Sequence, residues 1–328
     1  MTEKVRLASV GLGWWGNVLA DALNRGGAAE IVTCFARTES TRQAFAEKYG
    51  CRAAGSLEEI LKDDEVQGLL TATPHSHHPQ LIAQAASAGK HIFVEKPFTL
   101  TVAEAKKAME AAQQAGIVLQ VGHHRRRQGA NRRIRAMIDQ NELGTPHQLE
   151  ANLSVFKQQP PTWRSNPEEQ PLGALTGLGV HMIDTLHYWA GPMKRVFCFS
   201  KQVTGKQPVD EATVVAVEFE QGALGYIGFS LSLPKICTVA AFGDEASAWS
   251  EEEGAKLYVQ KNSEFARTEL PVEAGDALAD EIIEFARSIQ DETRPETGGP
   301  EGLAVAEVME ALIESHKRGK PADVADFR

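Results

Sequence analysis

No stretch of the chain approaches the roughly 18 consecutive apolar residues that a membrane-spanning helix needs. Cysteine is scarce. Cys34, Cys51, Cys198 and Cys237 are scattered with no C-x-x-C spacing, which argues against a disulfide scaffold and a structural zinc site and suits a reducing compartment. The opening MTEKVRLASVGLG lacks an apolar run of signal-peptide length, so a cytoplasmic location is expected. Positive charge is in the minority: 34 Lys and Arg stand against 44 Asp and Glu, a net charge of −10. Such a surface repels phosphate backbones and anionic lipid, so neither nucleic acid nor membrane is an expected partner. There is no internal repeat, low-complexity tract or linker-like segment. What remains is 328 residues of ordinary globular composition, 42% hydrophobic and 24% charged. That length suits two domains of roughly 120–200 residues each.

The first part of the chain alternates between two periods. Strand-like runs at Val5–Val10, Glu30–Phe35, Gly68–Ala72, His91–Val94 and Ile117–Val121 are separated by helical patterns at Trp14–Asn24, Thr38–Tyr49, Gln80–Ser87 and Ala103–Ala115. This alternation predicts right-handed crossovers and a parallel sheet covered on both faces. Beyond residue 122 the pattern changes. Helices are expected at Ala130–Gln140 and Leu178–Trp189, then strands near Val196–Val203, Thr213–Phe219, Ala223–Leu231 and Cys237–Ala241 with short turns, which argues antiparallel pairing. Closing helices are expected at Ala277–Ser288 and Leu303–Lys317. The expected fold class is therefore α/β: a dinucleotide-binding Rossmann domain at 1–122, and an α/β domain at 123–328 for substrate binding and oligomerisation, whose last helix can pack back on the first domain.

Gly11-Leu12-Gly13-Trp14-Trp15-Gly16 is a G-x-G-x-x-G placed directly after the first strand and before the first helix. Glycine permits the tight turn, lets backbone approach a pyrophosphate and lets helix and strand pack closely, while the helix N-terminus offers free N–H groups. The acidic residue expected about 20 positions on, for the ribose 2′-hydroxyl, is missing. Ala36, Arg37 and Thr38 stand there instead. A guanidinium binds a 2′-phosphate that a carboxylate would repel, so NADP is the preferred cofactor, with NAD admitted.

Three further segments complete an ordered set with the glycine turn: Thr73-Pro74, His91-Ile92-Phe93-Val94-Glu95-Lys96-Pro97 and Gly179-Val180-His181-Met182-Ile183-Asp184. In this the chain resembles the Gfo/Idh/MocA oxidoreductases over nearly its whole length. The resemblance implies a Rossmann domain, a second domain with an open, mainly antiparallel sheet that often serves as an oligomer interface, and hydride transfer between nicotinamide and a carbon bearing oxygen. It implies that Lys96 sits beside nicotinamide and substrate as the acid/base residue, that Glu95 orients it, and that His181 is an active-site histidine. Lys96 ends a buried strand, where removal from water favours a neutral amine able to exchange a proton with a hydroxyl. His78 lies in a segment that is polar in the family and near the cofactor. Asp184 and Tyr188 follow His181 at helical spacing and share its face.

One position departs from the family pattern. Many members carry aspartate four residues before the histidine, where this chain has Gly177. Its loss weakens the expectation of a sugar-like binding mode and, with the arginine-rich segment beginning Arg125-Arg126-Arg127, suggests a substrate carrying a carboxylate. Arg125, Trp163, Arg164 and Asp184 are expected to contact substrate along with Lys96 and His181. The arginine segment reads equally as a solvated helix face. His75, His77 and His78 lack the ligand set of a closed metal site, and no metal is expected. The expected function is an NAD(P)-dependent dehydrogenase or reductase of a sugar, cyclic polyol or carboxylated diol, acting as a homodimer or homotetramer. The alternatives are an NAD-retaining hydrolase working by transient oxidation and a non-catalytic nucleotide-binding regulator.

Overall fold

A computed structural model describes residues 3–156, 162–206 and 208–328. The chain divides into two compact units, one of residues up to His124 with Asp276–Leu303, the other of Arg125–Gly275 with Ala304–Arg328.

In the first unit, β1 (Val5–Val10), β2 (Ala29–Phe35), β3 (Arg52–Ala53), β4 (Gly68–Thr71), β5 (His91–Glu95) and β6 (Leu119–Gly122) form one sheet in the order β3-β2-β1-β4-β5-β6. All its pairings are parallel. The connecting helices are α1 (Trp14–Gly26), α2 (Glu39–Tyr49), α3 (Leu57–Leu61), α4 (His78–Ser87) and α5 (Val102–Ala115). Helix α1 buries Leu19, Ala20, Ala22 and Leu23 on one face and ends where Gly27 takes up a left-handed conformation, its N–H donating to the Leu23 carbonyl at 3.0 Å.

The division expected after residue 122 assigns the helix Ala277–Gln290 to the second domain, whereas the structure places it in the first unit. Ile282, Phe285, Ala286 and Ile289 on this helix join the cluster built from Leu19, Leu23, Ala29 and Ile31. Fully burying an isoleucine or phenylalanine contributes about 1.5–3 kcal/mol, so this stripe is enough to hold a segment distant in sequence. Asp276 caps the helix through the Ala279 N–H at 3.1 Å and pairs with Arg25 at 2.6 Å.

The second unit carries α6 (Gly129–Asp139), α7 (Val180–Ala190) and strands β7 (Pro146–Phe156), β8 (Met193–Lys201), β9 (Ala212–Phe219), β10 (Leu224–Ser230), β11 (Ser232–Gly243), β12 (Ala246–Glu251), β13 (Lys256–Lys261), β14 (Thr268–Leu270) and β15 (Ala322–Asp323). They form a sheet ordered β14-β13-β12-β11-β7-β10-β9-β8-β15. Every pairing is antiparallel except β7 with β10, which is parallel. One face carries the core with α7. The other leaves Phe199, Val214, Leu224 and Tyr226 exposed on adjacent strands. Among the described residues, no helix is long and apolar enough to cross a membrane.

Candidate active site

The strand register assembles one edge of the first sheet. Phe35, Val10, Thr71, Val94 and Val121 stand abreast across β2, β1, β4, β5 and β6. The chain therefore leaves the sheet at this edge through the glycine turn, Ala36-Arg37, Ala72-Thr73 and Glu95-Lys96. It is also the edge where open α/β sheets bind ligands, and β1 pairs with β2 on one side and β4 on the other, the topological switch point.

The three glycines are required for different reasons. Gly11 has φ 89°, and a Cβ there would stand 2.6 Å from the Ala72 carbonyl oxygen. A Cβ on Gly16 would collide with the Gly11 carbonyl. Both are fixed by the turn itself. Gly13 has φ −72°, which any residue adopts, and a Cβ there meets nothing within 4 Å. The protein does not need glycine at 13 for its own packing, but a pyrophosphate approaching the start of α1 does. Beside the turn, the Trp15 indole N–H and the Thr73 hydroxyl are buried with no hydrogen-bond partner among the described residues. Open backbone at a helix start and orphaned polar atoms fit a dinucleotide. Gly13→Ala is therefore expected to leave the melting temperature unchanged and to weaken cofactor binding by tenfold or more, through loss of close backbone approach. Differential scanning fluorimetry and cofactor titration read the two effects separately.

At the end of β2, Arg37 and Thr38 are exposed. Thr38 caps α2 without a side-chain cap hydrogen bond. Trp14 is exposed, its ring 5.3 Å from that of the half-buried Trp15 and tilted to it by 52°. Thr73 and Pro74 are half-buried at the edge. His78 is fully buried; its Nδ1 lies 3.0 Å from the Pro97 carbonyl and 3.2 Å from that of Phe98, and its Nε2 lies 3.3 Å from the Thr73 carbonyl. The ring thus braces the two segments that carry Thr73 and Lys96. Lys96 is half-buried directly after β5, its peptide N–H donating to Glu95 Oε2 at 3.2 Å. The Lys96–Pro97 bond is cis.

In the second unit, His181 is buried in the first turn of α7, preceded by a π-helical turn over Leu175–Gly179 that contains Gly177. The sequence predicts the helix only from Leu178, whereas the structure begins it earlier with this widened turn, as often happens at functional sites. Asp184 occupies a different position from the substrate ligand expected of it. It is 1% exposed, and both of its oxygens accept from Arg126, at 2.7–3.0 Å. A carboxylate gripped by a buried guanidinium fixes α7 against the segment that carries Arg126. Arg125 is likewise met by Glu253 at 3.3 Å and by Cys237 Sγ at 3.1 Å.

The rest of the arginine segment is a partly exposed helix face whose charges are partnered. Arg132 donates to the Tyr188 hydroxyl, Arg133 pairs with Glu142, and Arg135 pairs with Asp139 and donates to the Tyr188 carbonyl. Arg126, Arg132 and Arg135 all approach the Tyr188 ring within 6 Å, at 5.3, 5.7 and 5.6 Å. Arg164 stacks on Trp163 at 4.2 Å, both half-buried. Among the described residues, no three or more His, Cys, Asp or Glu side chains gather as a metal-ion set. Tyr188 and Glu253 take part in these arrangements without having been singled out as site residues by the sequence motifs. Only for Tyr188 does helical spacing from His181 give a signal.

Comparison with known proteins agrees with this geometry. Residues 5–123 match the family model described as oxidoreductase family, NAD-binding Rossmann fold, and residues 131–249 match the Gfo/Idh/MocA C-terminal domain. The chain is an oxidoreductase with an NAD(P)-binding Rossmann fold. It belongs to the Gfo/Idh/MocA family. It is 24% identical over 310 residues to a 1,5-anhydro-D-fructose reductase of Ensifer adhaerens, covering 90% of this chain and 91% of that one. It is 29% identical over 196 residues to a scyllo-inositol 2-dehydrogenase (NADP(+)) of Bacillus subtilis, covering 58% of this chain and 53% of that one. A solved structure from Desulfitobacterium hafniense, described as an NADPH-dependent oxidoreductase, superposes with TM-score 0.95 at 29% identity, covering 100% of this chain and 99% of that one.

Proposed function

We propose that the protein is a dehydrogenase or reductase that exchanges hydride with the hydroxyl-bearing carbon of a sugar or cyclic polyol, and that it prefers NADP. The observation that carries the proposal is the common sheet edge, where the glycine turn, Arg37, Thr73 and Lys96 emerge together. The names of the Ensifer and Bacillus relatives support the substrate class. The commitment of Asp184 to Arg126, and of Arg125 to Glu253, weighs against the carboxylated substrate that the arginine segment suggests.

A bound nicotinamide supplies the hydride acceptor or donor. Gly11, Gly13, Trp15, Gly16 and Thr73 would hold the dinucleotide, with Arg37 and Thr38 at its ribose end. Lys96 takes the hydroxyl proton as substrate is oxidised and returns it in the reverse direction. His181 hydrogen-bonds the reacting oxygen. Glu95 accepts from the Lys96 peptide N–H and fixes the backbone at that position. The exposed apolar face of the nine-stranded sheet is the contact through which copies of the chain assemble into a dimer or tetramer; sedimentation of the purified protein tests this.

The cofactor reading is tested by titrating NADP and NAD against the protein. Tighter NADP binding is expected, and Ala36→Asp shifts preference towards NAD because a carboxylate repels the 2′-phosphate. Equal affinity, or tighter NAD, contradicts the assignment of Arg37.

A further inference from the structure

We propose that Arg42 is a second specificity-determining residue for the 2′-phosphate, a positioning residue that fixes the backbone from which Arg37 reaches it; this rests on the NADP reading above. Arg42 lies in the first part of α2, half-buried. Its Nη1 donates to the Ala36 carbonyl at 2.8 Å and to the Arg37 carbonyl at 3.2 Å. Its guanidinium carbon lies 5.8 Å from the Phe35 ring centroid. Its own carbonyl accepts from Cys34 Sγ at 3.6 Å, and its N–H donates to the Thr38 carbonyl at 3.2 Å. The residue is thus tied to five positions of the segment 34–38.

Arg37 is the opposite case. It is exposed, and neither Arg37 nor Arg42 has a carboxylate partner among the described residues. Two guanidinium groups at one loop, neither ion-paired among the described residues even though Glu39 follows at the start of α2, favour an anion.

Arg42 contributes in two ways. It turns the negative ends of the 36 and 37 carbonyl dipoles towards its own cation, which reduces the repulsion a phosphate dianion meets at this loop. It also restricts the backbone that carries the Arg37 side chain, so less freedom is lost when the phosphate is gripped. Neither effect acts on a cofactor without the phosphate, which makes Arg42 a discriminating residue rather than a general support.

The test compares adenosine 2′,5′-bisphosphate with adenosine 5′-monophosphate by calorimetric titration of the wild type, Arg37→Gln, Arg42→Gln and Arg42→Lys, with melting temperatures recorded for each. Arg42→Gln is expected to weaken the bisphosphate about tenfold, the scale of one charge-assisted contact, with the monophosphate nearly unchanged. Arg42→Lys recovers part of the loss. Equal weakening of both ligands makes Arg42 merely structural and overturns the proposal. Loss of the bisphosphate preference in Arg37→Gln but not in Arg42→Gln also overturns it and leaves the NADP reading standing. A wild type without preference for the bisphosphate overturns both.

Discussion

Replacing Lys96 with alanine is expected to lower kcat by roughly 10²–10⁴, the range for a positioned proton donor or acceptor, while cofactor affinity changes little. The residue is half-buried at the carboxyl end of β5, on the sheet edge shared with the glycine turn. Its backbone is held by Glu95 on one side and, through Pro97, by His78. Lys96→Arg keeps the charge but holds its proton too firmly to exchange it, so it should be nearly as impaired as the alanine variant. Steady-state rates with cofactor titration by fluorescence separate the chemical step from binding. Near-native kcat in the alanine variant would remove Lys96 from the reaction.

Asp184→Ala is expected to destabilise the second unit by about 3–5 kcal/mol, because it leaves the Arg126 guanidinium buried without the charge it faces. At roughly 2–4 °C per kcal/mol for a unit of this size, the melting temperature falls by about 6–20 °C. The paired variant Arg126→Met with Asp184→Leu should recover much of the loss, since an apolar pair of similar volume carries no desolvation cost. Thermal unfolding followed by circular dichroism checks both. A single-variant loss under about 1 kcal/mol, the range of exposed pairs, would contradict the buried-pair account.

The two predictions differ in how well the sequence foretells them. The place of Lys96 at the end of a buried strand is legible because E-K-P closes a strand-length apolar run. The parallel sheet is legible because its strands are buried on both faces and read as apolar runs. Asp184 is not legible in the same way: helical spacing puts it on the His181 face, but only the fold shows that Arg126, distant in sequence, reaches it first.

Strand β7 is missing from the sequence reading although it lies at the centre of the second sheet. Its buried Leu149, Ala151 and Leu153 alternate with Glu150 and Asn152, a period of two carried by only a few apolar residues. Strand β12 hides for another reason: two of its inward residues are Ala246 and Ala248, too small to register as a hydrophobic run. Short turns correctly announce antiparallel pairing, but the parallel β7–β10 contact joins strands far apart in the chain, which no local signal reports.

The reaction proposed for the protein is hydride exchange between a nicotinamide and a hydroxylated carbon. It is read from the absorbance of reduced nicotinamide when the purified protein meets a panel of sugars, cyclic polyols, carboxylated diols and glycosides with NADP or NAD. Stoichiometric NADPH formation is expected with at least one neutral sugar or polyol, and its loss in Lys96→Ala. Cofactor retained through purification with no net reduction, on a panel whose glycosides are nonetheless cleaved, would contradict it.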